Sequence, residues 1–207
     1  MKFIKSLIVL FIPLLFVGCN NANTSEIEVK RIQGTYSIDL SDKNKTVGYA
    51  DYVFLAYVNE LTDTVYKNPV SIETENGGHK KLTDPYTNYS ITVIDNIKGK
   101  LKKNTEIPLQ QKGGLTSDGK MYLLSEHDEL LEPDTYYIVT AYAQPDGSLL
   151  MSGPYSNENI ELSSDKQKSK ENLKSQIIST DIYKEYKKAF KSQVKYERKR
   201  FKSSHEE

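Results

Sequence analysis

The stretch at residues 49–58, YADYVFLAYV, is apolar on both of its alternating sets of side chains. Such a strand has no face to offer water, so it reads as one buried on both sides. Its neighbours carry the ordinary one-face-in pattern. Tyr89, Ile91, Val93, Asp95 and Ile97 alternate with Ser90, Thr92, Ile94 and Asn96, and Lys98-Gly99-Lys100 ends the run. Residues 106–111 offer a short strand with Ile107 and Leu109 inward, and Pro108 marks an edge or a bulge. Residues 134–143, DTYYIVTAYA, form the densest run of β-branched and aromatic residues in the chain. Gln144-Pro145-Asp146-Gly147 then supplies a turn, because proline presets one dihedral and glycine accepts a positive one. Residues 148–152 return as the partner strand. Residues 65–74 add another before the loop Asn76-Gly77-Gly78-His79, and Ser41-Asp42 caps a short helix running to about Gly48. Several short strands separated by turns predict a closed or sandwich-like all-β body.

In chain order, Ala50-Asp51 leads into a buried strand, and a second strand ends in Ile97-Lys98-Gly99. A short strand, a loop, Leu131-Glu132-Pro133-Asp134-Thr135-Tyr136-Tyr137-Ile138-Val139 and a final hairpin follow. Over residues 48–153 this order resembles the netrin-type OB barrel of tissue inhibitors of metalloproteinases and of many bacterial surface lipoproteins. The resemblance implies a mainly β fold: a small OB-like antiparallel β-barrel over residues 31–163. The animal inhibitors act through a free N-terminal cysteine pinned by disulfides. This chain has one cysteine, so that mechanism does not carry over, and fold alone does not assign function.

That cysteine has a different context. Lys2 and Lys5 precede an apolar run over residues 7–17, closed by Gly18-Cys19. A positive start, a short apolar stretch and a small residue before the cut make an export signal. The run is too short to span a bilayer, which takes about 20 apolar residues. Phe16-Val17-Gly18-Cys19 resembles the lipobox of bacterial lipoproteins, with Phe16 in place of the usual aliphatic residue. By that resemblance residues 1–18 are a signal peptide and Cys19 carries a diacylglyceryl thioether, whose two chains suffice for stable anchoring. The implied location is the outer face of a bacterial cell membrane. The polar residues 20–25 read as a flexible tether, taken here as residues 19–30.

The formal charge of zero hides a split. Residues 19–163 hold 13 Lys and Arg against 21 Asp and Glu, whereas residues 164–207 hold 13 against 7. The basic segment has no proline or glycine from residue 170 to 202, and its residues favour helix. At 100° per residue Lys184, Lys187, Lys188, Lys191, Lys195, Arg198, Lys199 and Lys202 share one face. Ile178, Ile182, Tyr183, Tyr186, Ala189, Phe190, Val194, Tyr196 and Phe201 lie on the other. The expectation is a long C-terminal amphipathic α-helix over residues 164–207. Its basic face either meets anionic headgroups, wall polymers or an acidic partner, or is simply solvated while the apolar side docks on the barrel.

Recognisable catalytic patterns are missing: no Gly-x-Ser-x-Gly, no His-Glu-x-x-His, no phosphate-binding glycine loop and no cysteine pair. No catalytic residue, metal or cofactor is assigned on this reading. The nearest approach to a site is Glu126-His127-Asp128-Glu129, which lacks the spacing of a calcium loop and reads better as a solvated acidic turn. His79 and His127 fall in loops and His205 in the tail. The preferred function is a binding module for an envelope protein or anionic wall polymer, acting through loops 76–81, 113–120 and 126–134. The alternatives are an envelope hydrolase using the acidic run with His127, or a structural domain held on the anionic surface by its basic helix. Nucleic acid is not expected as a partner of an exported chain without a recognition motif.

Overall fold

The computed structural model describes residues 27–161 and 170–207. The signal, Cys19 and the polar segment after it lie outside the described residues. The elements in chain order begin with β1 (Glu28–Ile32), α1 (Lys43–Tyr49), β2 (Tyr52–Glu73), β3 (His79–Lys98) and β4 (Glu106–Lys112). They continue with β5 (Gly114–Leu115), β6 (Met121–Ser125), β7 (Tyr136–Ala143), β8 (Leu149–Met151) and β9 (Asn157–Asn159), then α2 (Lys170–Ser179) and α3 (Asp181–Lys191).

The body is mainly β and closes on itself. β2 pairs with β3, β3 with β4, β4 with β8, β8 with β7, and β7 returns to β2, giving a ring of five strands. All contacts in the ring are antiparallel except β4 with β8, which is parallel and rests on the single pair Gln110 and Leu150. Inward-facing Phe54, Ala56, Val58, Ile91, Val93, Ile107, Leu109, Val139, Ala141 and Leu149 fill the ring, each no more than 2 % exposed.

The double-sided burial of residues 49–58 has its cause on the outer wall. Val53, Leu55 and Ile138 face out of the ring and pack with Val47 and Ala50 of the α1 region, Ile177 of α2, and Tyr183, Tyr186 and Ala189 of α3. Asp42 caps α1 as its spacing predicts, accepting from the backbone N–H groups of Asn44 and Lys45.

Three expectations need correction. Residues 65–74 are not a separate strand. They continue β2, which runs with β3 as a two-stranded arm beyond the ring. Residues 28–30, placed in the tether, pair in parallel with Met121, Tyr122 and Leu123 of β6.

The long C-terminal helix over residues 164–207 is replaced by two short helices and an extended strap. Thr180 leaves helical geometry and its hydroxyl accepts from the N–H of Tyr183, capping α3. Ser179-Thr180-Asp181 is therefore a helix start inside the helical pattern. After Lys191 the Ser192 hydroxyl donates to the Lys188 carbonyl, and Val194 N–H goes to Asn44 O at 3.1 Å instead of up its own helix. The Val194 carbonyl passes so close to Gly48 that a Cβ there would lie 1.8 Å from its oxygen. Only glycine permits that crossing. Tertiary contacts outweigh the helix propensity of these residues.

The strap, residues 192–207, closes one end of the barrel. Ser203 N–H donates to the Tyr52 hydroxyl at 2.8 Å, and that hydroxyl donates to Glu206 at 2.5 Å. Lys102 N–H bonds His205 O, Glu207 N–H bonds Lys100 O, and Phe201 packs against the core. The opposite end is closed by Leu131, whose N–H donates to the Tyr89 hydroxyl, with the Tyr137 hydroxyl accepting from Glu132 N–H.

Candidate functional site

Next to the weak β4–β8 seam the wall opens into a cavity of about 490 Å³. That lies within the ordinary range of ligand sites, roughly 300–1,000 Å³. Residues 35–40 form one wall, and Tyr36, Tyr49, Tyr86 and Tyr142 contribute four aromatic rings. Arg198, arriving from the strap, sits over the rings of Tyr49 and Tyr142 at 4.9 and 5.8 Å. Gln111 and Asp128 complete the lining with buried polar groups.

Those two belong to one network. The Tyr89 hydroxyl donates to Gln111 Oε1 at 3.2 Å, and Gln111 Nε2 donates to Asp128 Oδ1 at 3.0 Å and to Glu129 O at 2.8 Å. Asn157 Nδ2 reaches Asp128 Oδ1 at 3.5 Å. Arg31 of β1 donates to the Asp128 carbonyl at 2.6 Å and pairs with the Glu129 carboxylate. Asp128 is 3 % exposed, and burial pushes its carboxyl from the ordinary 3.8 up to about 6, against the pull of the Gln111 hydrogen bond.

A raised carboxyl costs stability when ionised. Folding takes up a proton between about pH 4 and 6, so stability falls as pH rises through that window and is flat above it. Asp128→Asn keeps the oxygen that Gln111 meets and removes the charge. It is expected to stabilise the protein by up to about 3 kcal/mol at pH 7, with the gain fading below about pH 4. Urea unfolding of both proteins at several pH values measures this. A pH-independent difference would mean Asp128 does not titrate as its burial implies.

The acidic run thus divides. Asp128 turns inward, while His127 and Glu129 are exposed. His127 takes a left-handed backbone, φ 61°, and stacks on Tyr155 at 5.0 Å, itself at φ 58°. Its Nε2 stands 3.9 Å from Glu126, and its ring does not line the cavity. Asp128, not the solvated turn as a whole, is the residue with unusual chemistry. Nothing in the residue string separates it from its neighbours.

The predicted basic face does not exist as one helical stripe. Lys184 pairs with Asp181 at 3.5 Å, and Lys187 folds back to Asn96 O at 3.2 Å over the Tyr183 ring. Lys188 and Lys191 are exposed on α3, whereas Lys195, Lys199 and Lys202 are exposed on the strap. Arg198 turns inward. Arg198 and Arg200 both reach Asp51 Oδ1, at 2.7 and 2.6 Å, and their remaining donors take the carbonyls of Gly48, Tyr49 and Ala50 behind α1. Ala50-Asp51 is therefore the socket for the C-terminal strap.

Of the three predicted loops, two converge. Lys80 at the arm tip lies 3.9 Å from Asp118, and Lys30, Val70 and Thr116 line the groove of about 410 Å³ between them. The third, residues 126–134, closes the barrel end. Among the described residues no three His, Cys, Asp or Glu gather as a metal site, and no helix is long and apolar enough to cross a membrane.

No protein-family model matches the chain, and no curated protein matches it. The site is therefore read from its own geometry.

Proposed function

We propose that the chain is a lipid-anchored, extracytoplasmic binding module built on an OB-type barrel of the netrin kind, and that the tyrosine-lined cavity receives its ligand. The barrel reading is supported by the strand order: five strands in a Greek-key ring, with the third and fifth parallel. The anchor reading rests on Lys2, Lys5, the apolar run and Gly18-Cys19.

The observation that carries the binding reading is the cavity itself. Four tyrosines offer flat apolar faces with polar rims, and Gln111 and Asp128 add buried groups that fix orientation. That chemistry suits a ring-bearing polar ligand, such as a sugar or an aromatic peptide side chain. Saturation-transfer NMR on the full chain in neutral detergent, against soluble oligosaccharides and short peptides, is expected to show contact from one class. Tyr142→Ala should abolish that contact with the fold retained. No transfer from either class, or transfer that survives Tyr142→Ala, would overturn the cavity as the site.

A second reading, hydrolysis, draws on one observation, a cavity carboxyl raised to about 6, the range of a general acid near neutral pH. His127, which the acidic-run hypothesis also used, points elsewhere.

A further inference from the structure

The strap brings two basic segments of distant sequence to one end of the barrel. Residues 98–103, KGKLKK, link β3 to β4 and hold four lysines and no carboxylate. Residues 195–202, KYERKRFK, hold five Lys and Arg against Glu197 alone. The backbone pairs them. Leu101 bridges to Glu206, Lys102 N–H bonds His205 O, and Glu207 N–H bonds Lys100 O. A pocket of about 430 Å³ beside this junction is lined by Lys98, Lys195 and Arg200, with Asp51 and Glu206 among them.

The carboxylates at this end do not neutralise it. Asp51 is buried and held by Arg198 and Arg200, and Glu197, Glu206 and Glu207 are outnumbered by the lysines around them. Lys100, Lys102, Lys103, Lys195, Lys199 and Lys202 are exposed and without an ion pair among the described residues. Burial first, and then the neighbouring Arg200, lower Lys98 to about 8, with Asp51 pulling the other way. Single surface lysines are commonplace. A face this one-sided on a body of net negative charge attracts polyanions.

Topology says which way the face looks. The chain enters through β1, which pairs with β6 and is tied by Arg31 to Asp128 and Glu129, at the end closed by Leu131. The strap closes the other end, at Tyr52, and β2 takes about 20 Å to run from Tyr52 to Val58. On the anchor reading, on which this direction rests, the membrane lies on the β1 side and the basic face looks away from it.

We propose that the strap end of the barrel is a docking face for a soluble polyanionic chain bearing phosphodiester or carboxylate groups, and not for the lipid surface that anchors the protein. The exposed Lys100, Lys102 and Lys103 carry much of the attraction, because among the described residues no carboxylate pairs with them.

The first measurement is binding of long-chain inorganic polyphosphate to the full chain in neutral detergent, which needs no anchor reading. Binding is expected to weaken steeply with salt. Lys100→Gln, Lys102→Gln and Lys103→Gln combined should weaken it about 100-fold and lower the slope of log K against log salt by about 2. Lys184→Gln with Lys188→Gln, on the outer side of α3, should leave it unchanged. Equal loss in both variants, or no binding at low salt, would overturn the face.

The second measurement reconstitutes the full chain into phosphatidylcholine vesicles, with and without phosphatidylglycerol. Polyphosphate capture should be the same on both. Capture that disappears on the anionic vesicles would mean the face lies on lipid, overturning the soluble partner while leaving the charged face intact.

Discussion

A chain ending at residue 163 is expected to lose cooperative folding, although that point looks in the sequence like the end of a self-sufficient barrel. The cut removes α2, α3 and the strap. It leaves Val53, Leu55 and Ile138, all 0 % exposed, facing water on the outer wall. Each large apolar side chain so exposed forfeits about 1.5–3 kcal/mol. Ile177, Tyr183, Tyr186 and Phe201 are lost as partners, and Asp51 stays buried without its arginines. The total is on the order of 10 kcal/mol, comparable to the whole stability of a domain. Urea unfolding followed by near-UV circular dichroism is the measurement. A truncated chain with an unchanged midpoint would show that the outer cluster and strap are dispensable. A cut after residue 191 keeps the helices and should give an intermediate loss.

Asp51→Ala is the largest single-residue effect expected, about 3–5 kcal/mol, because it breaks a buried ion pair by removing one partner. Asp51 Oδ1 accepts from both arginines, and Oδ2 is buried without a partner among the described residues. Its loss leaves two guanidiniums and Lys98 crowded behind α1. The Asp51 charge also holds Lys98 up, so the variant should titrate Lys98 still lower than its present value. The check is a double-mutant cycle by urea unfolding. Asp51→Ala in a chain already carrying Arg198→Met and Arg200→Met should cost much less than in the native chain. Equal costs would show that the effect does not come from the pair.

Several parts of this architecture were legible in the residues. The doubled apolar pattern of residues 49–58 announced a strand with cover on both sides, and the structure supplies the ring inside and three helices outside. The Pro-Asp-Gly turn and the Asp42 cap act through local chemistry, and both appear where the spacing puts them. The end of the C-terminal helix was less accessible. Thr180 carried a capping signal in plain view, but a helical window with no proline or glycine concealed it. The stop at Lys191 has no local signal of comparable strength. It follows from Val194 meeting Asn44 and Gly48 and from Arg198 meeting Asp51, contacts about 150 residues away.

The cavity shows the same division. Tyrosines that suit strands by composition become a site only because residues 35–40, α1, β3 and β7 bring four of them to one opening. Asp128 sits between two charged or polar neighbours that remain in water, and only the Gln111 network turns it inward.

The sequence by itself determined the local steps: alternation that makes strands, turn chemistry that reverses them, caps that start helices, and the charge each segment carries. Those depend on residues within a few positions of one another, where sterics and backbone hydrogen bonds act directly. Which segments meet was decided only by the tertiary structure. The closure of the ring, the strap on Asp51 and the joining of Lys98–Lys103 to the C-terminal lysines depend on side chains brought together across most of the chain. Their energies exist only once the core has formed.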